Sequence, residues 1–151
     1  MPVISPQDRQ ALEKRFRKEL KRKITLRLFT QTVGQLLIPG RKCPTCSQTQ
    51  QILEELTSLS PMLELEVVDF YSQSQRSRDS GVERIPAIVM SKDGAGSNVK
   101  YYGMPSGYEF VTIIEDLIAL SQPKSPLSAD TRKKLKLVDQ DVHIQVFVTP
   151  T

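Results

Sequence analysis

The chain holds only two cysteines, three positions apart in Lys42-Cys43-Pro44-Thr45-Cys46-Ser47. Two thiols at i and i+3 at a helix start can bring their Cβ atoms within disulfide range without moving the backbone, so the pair can open and close reversibly. The chemistry this spacing suggests is dithiol–disulfide exchange, with the Cys43–Cys46 pair itself as the redox group and no separate cofactor. Near the exposed N-terminal end of a helix, a Cys43 thiolate is stabilised by amide N–H groups that lack an intrahelical partner and by the helix dipole. Lys42 and Arg41 add positive charge on the same side, and Pro44 falls where its missing N–H is not needed. If the pKa drops from about 8.5 to about 7, the thiolate fraction at neutral pH rises from a few per cent to about half, while nucleophilicity falls about five-fold. The net gain in attack is small. The larger effect is on departure: a stabilised Cys43 thiolate leaves a mixed disulfide readily when Cys46 attacks it. Cys43 is therefore the expected nucleophile and Cys46 the resolving thiol, supported by Lys42, Pro44 and Thr45.

Other uses of the pair fit less well. A structural zinc site needs four ligands, and only His143 is available beyond the two cysteines. Inert core cysteines are a second alternative, cysteine being among the most buried residue types. A purely structural disulfide over so short a loop restricts the unfolded chain little.

A strand pattern, Ile24-Thr25-Leu26-Arg27-Leu28-Phe29, precedes the cysteines, and a helical face of Ile52, Leu53, Leu56 and Leu59 follows them, ending near Ser60-Pro61. Upstream, Ser5-Pro6 opens a helix predicted to run to about Arg22, with Leu12, Phe16 and Leu20 as its buried stripe. The connection from Phe29 to Cys43 is long. Leu36, Leu37 and Ile38 within it are expected as a flap over the cysteines, a partner surface, or residues tucked against the core. Leu63 to Phe70 reads as a second strand whose Val67-Val68 run predicts cover on both faces. Tyr71 to Ser80 reads as a short irregular helix ended by Gly81. Pro86 opens a third, apolar strand, Asp93-Gly94 marks a hairpin-like turn, and Val99 to Tyr102 returns. A last amphipathic helix carries Phe110, Ile113, Ile114, Leu117, Ile118 and Leu120.

At 151 residues, with 25% charged side chains, the composition is that of an ordinary soluble protein with one main core. The most apolar stretch, Val111 to Leu120, is broken by Glu115 and Asp116, so no membrane contact is expected. The first twenty residues lack the apolar run of a signal peptide, which predicts a cytoplasmic protein, where a cysteine pair is more often catalytic than structural. The net charge of +4 is partly concentrated between Arg9 and Lys23. That run reads as the solvated face of the amphipathic helix and not as a nucleic-acid site, because no stacking aromatics interleave with it.

The order α-β-α-β-α-β-β-α, with Cys43-Pro44-Thr45-Cys46 after strand one and Gly81-Val82-Glu83-Arg84-Ile85-Pro86 before strand three, resembles the thioredoxin superfamily over about residues 24 to 121. The resemblance implies an α/β fold, a central mixed sheet flanked by helices. It also implies that Pro86 is cis and faces the disulfide, and that Ile85 offers its backbone to a bound substrate segment. Two departures stand out. Many thioredoxins carry a buried acid shortly before the first cysteine to help deprotonate the resolving thiol, whereas here the equivalent stretch is Leu36-Leu37-Ile38-Pro39, so another acid or water must serve. Thr45 stands where typical thioredoxins have glycine.

After the proline-rich linker the chain begins again. Ser128 caps a basic helix, Ala129 to Leu137, and Val142-His143-Ile144-Gln145-Val146-Phe147 repeats Ile24 to Phe29 at an offset of 118 residues (142 against 24). With this restart the chain resembles the N-terminal unit of a two-unit, glutaredoxin-like protein disulfide oxidoreductase, truncated at the start of the second unit, and a related arrangement occurs in the N-terminal redox domain of alkyl hydroperoxide reductase flavoprotein subunits. The expected organisation is a thioredoxin-like domain with its N-terminal helix over 1–122, a linker over 123–127, and the start of a second, incomplete unit over 128–151. An alternative is an extension whose strand packs on the first sheet. An exposed strand at 142–148 is a pairing hazard, so it is expected to add to a sheet, either its own or that of a second copy in a homodimer.

These features predict a thiol-disulfide oxidoreductase that exchanges disulfides with protein substrates and is recycled by a reductase. The alternatives are a docking or structural unit of a larger redox protein and a glutathione-linked glutaredoxin.

Overall fold

The computed structural model describes residues 3–32, 42–92 and 99–149. Leu36 to Pro39, Arg41 and the Asp93-Gly94 turn lie outside the described residues. The elements follow the expected order: α1 (Pro6–Glu19), β1 (Ile24–Thr30), α2 (Cys46–Thr57), β2 (Leu63–Asp69), α3 (Ser74–Asp79), β3 (Ala87–Lys92), β4 (Lys100–Tyr102), α4 (Tyr108–Ser121) and α5 (Ala129–Leu135).

β1 is the centre of a four-stranded sheet in the order β2-β1-β3-β4. It runs parallel to β2, with Ile24 opposite Leu63 and Thr30 opposite Asp69, and antiparallel to β3, with Phe29 opposite Ala87. The pleat sends Ile24, Leu26 and Leu28 to one face, where they join Ile88 and Met90 and pack with Phe16 and Leu20, Leu53 and Leu56 of α2, and Ile113 and Leu117 of α4. The opposite face carries Thr25, Arg27 and Phe29. Its apolar part is a smaller cluster of Phe29, Val68, Val82, Ala87 and Val89 next to the strand exits. Further along the same face Arg27 pairs with Glu66 at 2.6 Å, and Glu66 also takes Arg76 of α3.

β2 departs from the sequence expectation. It is an edge strand, and Val67 is 37% exposed on its outer side while Val68 is buried. Val68 packs in the second cluster, while Val67, in register with buried Leu28, stays partly open because β2 lies at the margin of the sheet.

α1 starts as expected, with Ser5 Oγ accepting the Asp8 N–H at 3.1 Å and Pro6 in the first turn. It stops at Glu19 instead of near Arg22, because the backbone turns extended at Leu20 and delivers that side chain to the core. The helix is bound at both ends. The Val3 and Ile4 amides donate to the Glu55 carboxylate of α2 and hold its carboxyl below the usual range. Arg15 reaches Glu115 of α4 at 2.8 Å, and the Gln122 side-chain amide donates to the Glu19 carbonyl at 2.8 Å.

Ser128 caps α5 by accepting the Thr131 N–H at 3.1 Å, but the helix ends at Leu135 and buries no residue. Residues 142–149 form no strand and lie exposed, with Ile144 at 81% and Phe147 at 84%. The expectation that this segment joins the chain's own sheet is therefore overturned. Its β1-like pattern pairs with neither edge of the sheet, β2 or β4.

Because Phe16 is fully buried against the first cluster, α1 is part of the core and not an appendage. Phe16→Ala is expected to cost about 3–5 kcal/mol, measured by urea denaturation. A loss below about 1 kcal/mol would show that α1 is dispensable.

Candidate active site

Cys43 and Cys46 form a disulfide, with an S–S distance of 2.06 Å and Cα atoms 5.5 Å apart. The helix starts later than the sequence suggested. Cys46 is its first residue, while Cys43 precedes it, separated by the Pro44-Thr45 bend. The two sulfurs therefore occupy different environments. Cys46 is on the buried face of α2 and 2% exposed, whereas Cys43 is half-buried beyond the helix end. Lys42 and Pro44 are exposed and Thr45 is half-buried.

Thr45, at the N-cap, gives no side-chain hydrogen bond to the first turn. Its carbonyl accepts the Thr49 N–H at 2.9 Å and the Thr49 hydroxyl at 2.8 Å, which is where the intrahelical ladder begins. The amides of Cys46, Ser47 and Gln48 thus precede the ladder, at the end of the helix that Cys43 adjoins.

The exits of β1 and β2 are joined by one carboxylate. Asp69, 5% exposed, accepts the Thr32 N–H at 2.9 Å and the Thr32 hydroxyl at 2.7 Å on one oxygen. On the other it accepts the Tyr71 N–H at 3.1 Å, the Ser72 N–H at 2.7 Å and the Ser72 hydroxyl at 2.8 Å. Burial alone would raise its pKa, but the bonds from Ser72 and Thr32 outweigh that and hold the carboxyl well below its ordinary range. Asp69 is therefore a charged anchor, saturated with donors. Next to Thr32, the Gln31 side chain accepts the Cys43 N–H at 3.0 Å, which ties the first cysteine to the β1 exit. Thr30, buried at the last position of β1, has a hydroxyl with no hydrogen-bond partner among the described residues.

The Ile85–Pro86 bond is cis, as the resemblance implies. Pro86 is buried and Ile85 is half-buried against the second cluster. Because β3 runs antiparallel to β1, the Phe29–Ala87 register puts Pro86 at the sheet end where β1 exits toward Cys43. The Pro86 carbonyl accepts the Gly103 N–H at 2.9 Å, and Arg84 stacks over the Tyr102 ring at 4.7 Å. One end of the sheet thus gathers Cys43, Cys46, Ile85 and Pro86. Gln31, Thr32 and Asp69 were not singled out in the sequence, although an aspartate ending an apolar strand with a serine three residues on is a turn-capping signal.

A mixed sheet with β1 central, a cysteine pair at the start of the helix after it, and a proline opening the antiparallel strand beside it make up the thioredoxin-like fold. The chain belongs to the thioredoxin superfamily. The Aeropyrum pernix protein disulfide oxidoreductase superposes on it with a TM-score of 0.82 and 25% identity, over 99% of this chain and 62% of that one. The NTD N/C domain of the alkylhydroperoxide reductase AhpF from Enterococcus faecalis gives 0.72 and 23%, over 87% of this chain and 59% of that one. A mutant thioredoxin from Halobacterium salinarum gives 0.51 and 14%, over 70% of this chain and 80% of that one. The chain therefore spans less than two thirds of the first two proteins. No protein-family model matches the sequence, and no curated protein does. No helix among the described residues is long and apolar enough to cross a membrane.

The depressed Asp69 pKa has a definite sign. The folded protein binds this proton less readily than the unfolded chain, so the stabilisation is complete above about pH 4, the unfolded value, and is lost as pH falls toward the folded one. Asp69→Asn is expected to cost about 2–3 kcal/mol at pH 7 and to flatten the acid decline in stability, measured as urea midpoints across pH. An acid limb as steep as wild type would place its origin elsewhere.

Proposed function

We propose that this chain is a thiol-disulfide oxidoreductase unit that exchanges disulfides with protein substrates through Cys43 and Cys46. The observation that carries the proposal is the asymmetry of the pair: a half-buried Cys43 beside unengaged helix amides and a buried Cys46 behind it. In the reducing direction the Cys43 thiolate attacks one sulfur of a substrate disulfide. The other substrate sulfur leaves as a thiolate and takes up a proton, giving a mixed disulfide. Cys46 then gives up its proton and attacks Cys43 Sγ. The mixed S–S bond breaks, the second substrate sulfur departs, and the Cys43–Cys46 disulfide forms. Two electrons have passed to the substrate, and a reductase of the reducing cytoplasm restores the dithiol. The reverse sequence oxidises a substrate dithiol. Ile85 and Pro86 would line the substrate segment during the mixed-disulfide stage, with Lys42 placing positive charge beside it.

The exposed arm favours a two-unit setting for this chemistry. Residues 128–149 repeat the opening of the first unit and bury nothing, and the matching Aeropyrum protein is longer than this chain. We therefore propose that the arm belongs to a second thioredoxin-like unit, for which the first serves as redox or docking partner. Pairing of 142–148 between two copies is the alternative occupancy.

Cys43→Ser should reduce insulin-type disulfide reduction to background, and Cys46→Ser should trap the substrate as a covalent adduct visible on a non-reducing gel. Undiminished turnover by Cys43→Ser would sink the assignment.

A further inference from the structure

We propose that Gln31 is a positioning residue for Cys43, holding the backbone of the attacking cysteine through a neutral acceptor; this rests on the reading of Cys43 as nucleophile. The Gln31 Oε1 atom accepts the Cys43 N–H at 3.0 Å across twelve positions of sequence. It is a long-range bond from the side chain of one strand exit to the backbone of the reactive residue. Among the described residues no other hydrogen bond reaches Cys43 from the sheet.

Gln31 is itself fixed on both sides. The Thr30 carbonyl accepts the Phe70 N–H at 2.9 Å, and Thr32 donates its N–H and hydroxyl to Asp69. Two anchored neighbours, both tied to the β2 exit, leave Gln31 little freedom except in its side chain. The glutamine therefore passes the rigidity of the paired strand exits to a cysteine that lies outside α2 and gains none from the helix ladder. The bond ties the Cys43 backbone directly to the β1 exit, across twelve positions of sequence.

The neutrality of the acceptor matters as much as its reach. A carboxylate here could accept the same N–H, but it would set a full negative charge close to the sulfur that must become a thiolate, and a like charge disfavours the ionised form. The amide oxygen holds the backbone without that opposition. Holding Cys43 also keeps its sulfur at the mouth of the first helical turn, where the amides of Cys46, Ser47 and Gln48 can stabilise the anion.

The test is the pH profile of Cys43 alkylation by iodoacetamide in a Cys46→Ser background, which needs no substrate protein. Gln31→Glu keeps the shape and the acceptor and should raise the midpoint by about one pH unit, as a like charge a few ångströms away would. Gln31→Ala removes the tether and should shift the midpoint toward that of free cysteine, about 8.5, slowing alkylation at pH 7 by a few-fold. Ile113→Val, a buried change in α4, should lower stability by about 1 kcal/mol and leave the midpoint unmoved, which separates positioning from general destabilisation. A wild-type midpoint in either Gln31 variant would overturn the proposal. If both midpoints move while the wild-type chain reduces no protein disulfide, the positioning role stands and the proposed function falls.

Discussion

Asp69 is the point on which the site end of the molecule depends. A buried carboxylate is normally costly, and it persists only where enough donors converge on it. Here the donors come from two segments: Thr32, just past β1, and Tyr71 and Ser72, just past β2. Strands that run parallel share no tight turn, so nothing in the ladder itself holds their exits together once pairing ends. The ionised carboxyl does this, and so defines where the chain leaves the sheet on its way to Cys43. If that join is lost, Thr32 and Gln31 are freed together and the tether to the cysteine has no base.

The two faces of the sheet divide the work around this anchor. The face with Leu26, Leu28, Ile88 and Met90 is buried by α2, α4 and α1, and it fixes the direction of α2 and hence the depth at which Cys46 sits. The other face is apolar only near the strand exits, around Phe29, Val68 and Ala87, and turns to the Arg27–Glu66–Arg76 ion pairs further away. Half-exposed pairs of this kind contribute little to stability, so the apolar patch near the exits is what seats Ile85 and the Pro86 turn beside β1. Differences between the two sulfurs thus follow from packing: α2 buries its first residue against the core, and the bend before it leaves the preceding cysteine outside.

What could be seen in the sequence depended on whether the signal was local. The cysteine spacing, the Ser5-Pro6 helix start, the alternation in β1 and the apolar periods of α2 and α4 are local patterns, and each appears where the residues indicate. The cysteine pair stood out because the chain has only two cysteines, and Pro86, one of ten prolines, only through its order after them. Edge status was not legible: Val67-Val68 reads the same in a covered strand and in β2, whose outer side is open because no strand lies beyond it. Nor was the partnership of Gln31 with Cys43 or of Thr32 with Asp69, since glutamine, threonine and aspartate are ordinary polar residues until the fold brings distant positions together. The segment at 142–147 shows the converse. Its pattern matches β1 closely, yet it forms no strand, because alternation in sequence does not by itself bring a segment to a sheet.

The polar network also bears on how the pair would be tuned. Asp69 has the burial that raises the pKa of a proton acceptor, but it is saturated with donors and held ionised, so it has neither a raised affinity for a proton nor a free lone pair to receive one. The Thr30 hydroxyl at the last position of β1, without a partner among the described residues, carries no charge at neutral pH and cannot serve as a base. The described residues at this sheet end thus give Cys43 the helix-end amides, the neutral Gln31 tether and the neighbouring Lys42, and give Cys46 burial. Under the proposed function, the amides at the helix end would serve the first attack by Cys43, and burial would slow the second, the attack of Cys46 on the mixed disulfide. On that reading the mixed disulfide would be the long-lived species, and the Gln31 tether to the Cys43 backbone would bear on it as much as the acidity of the thiol.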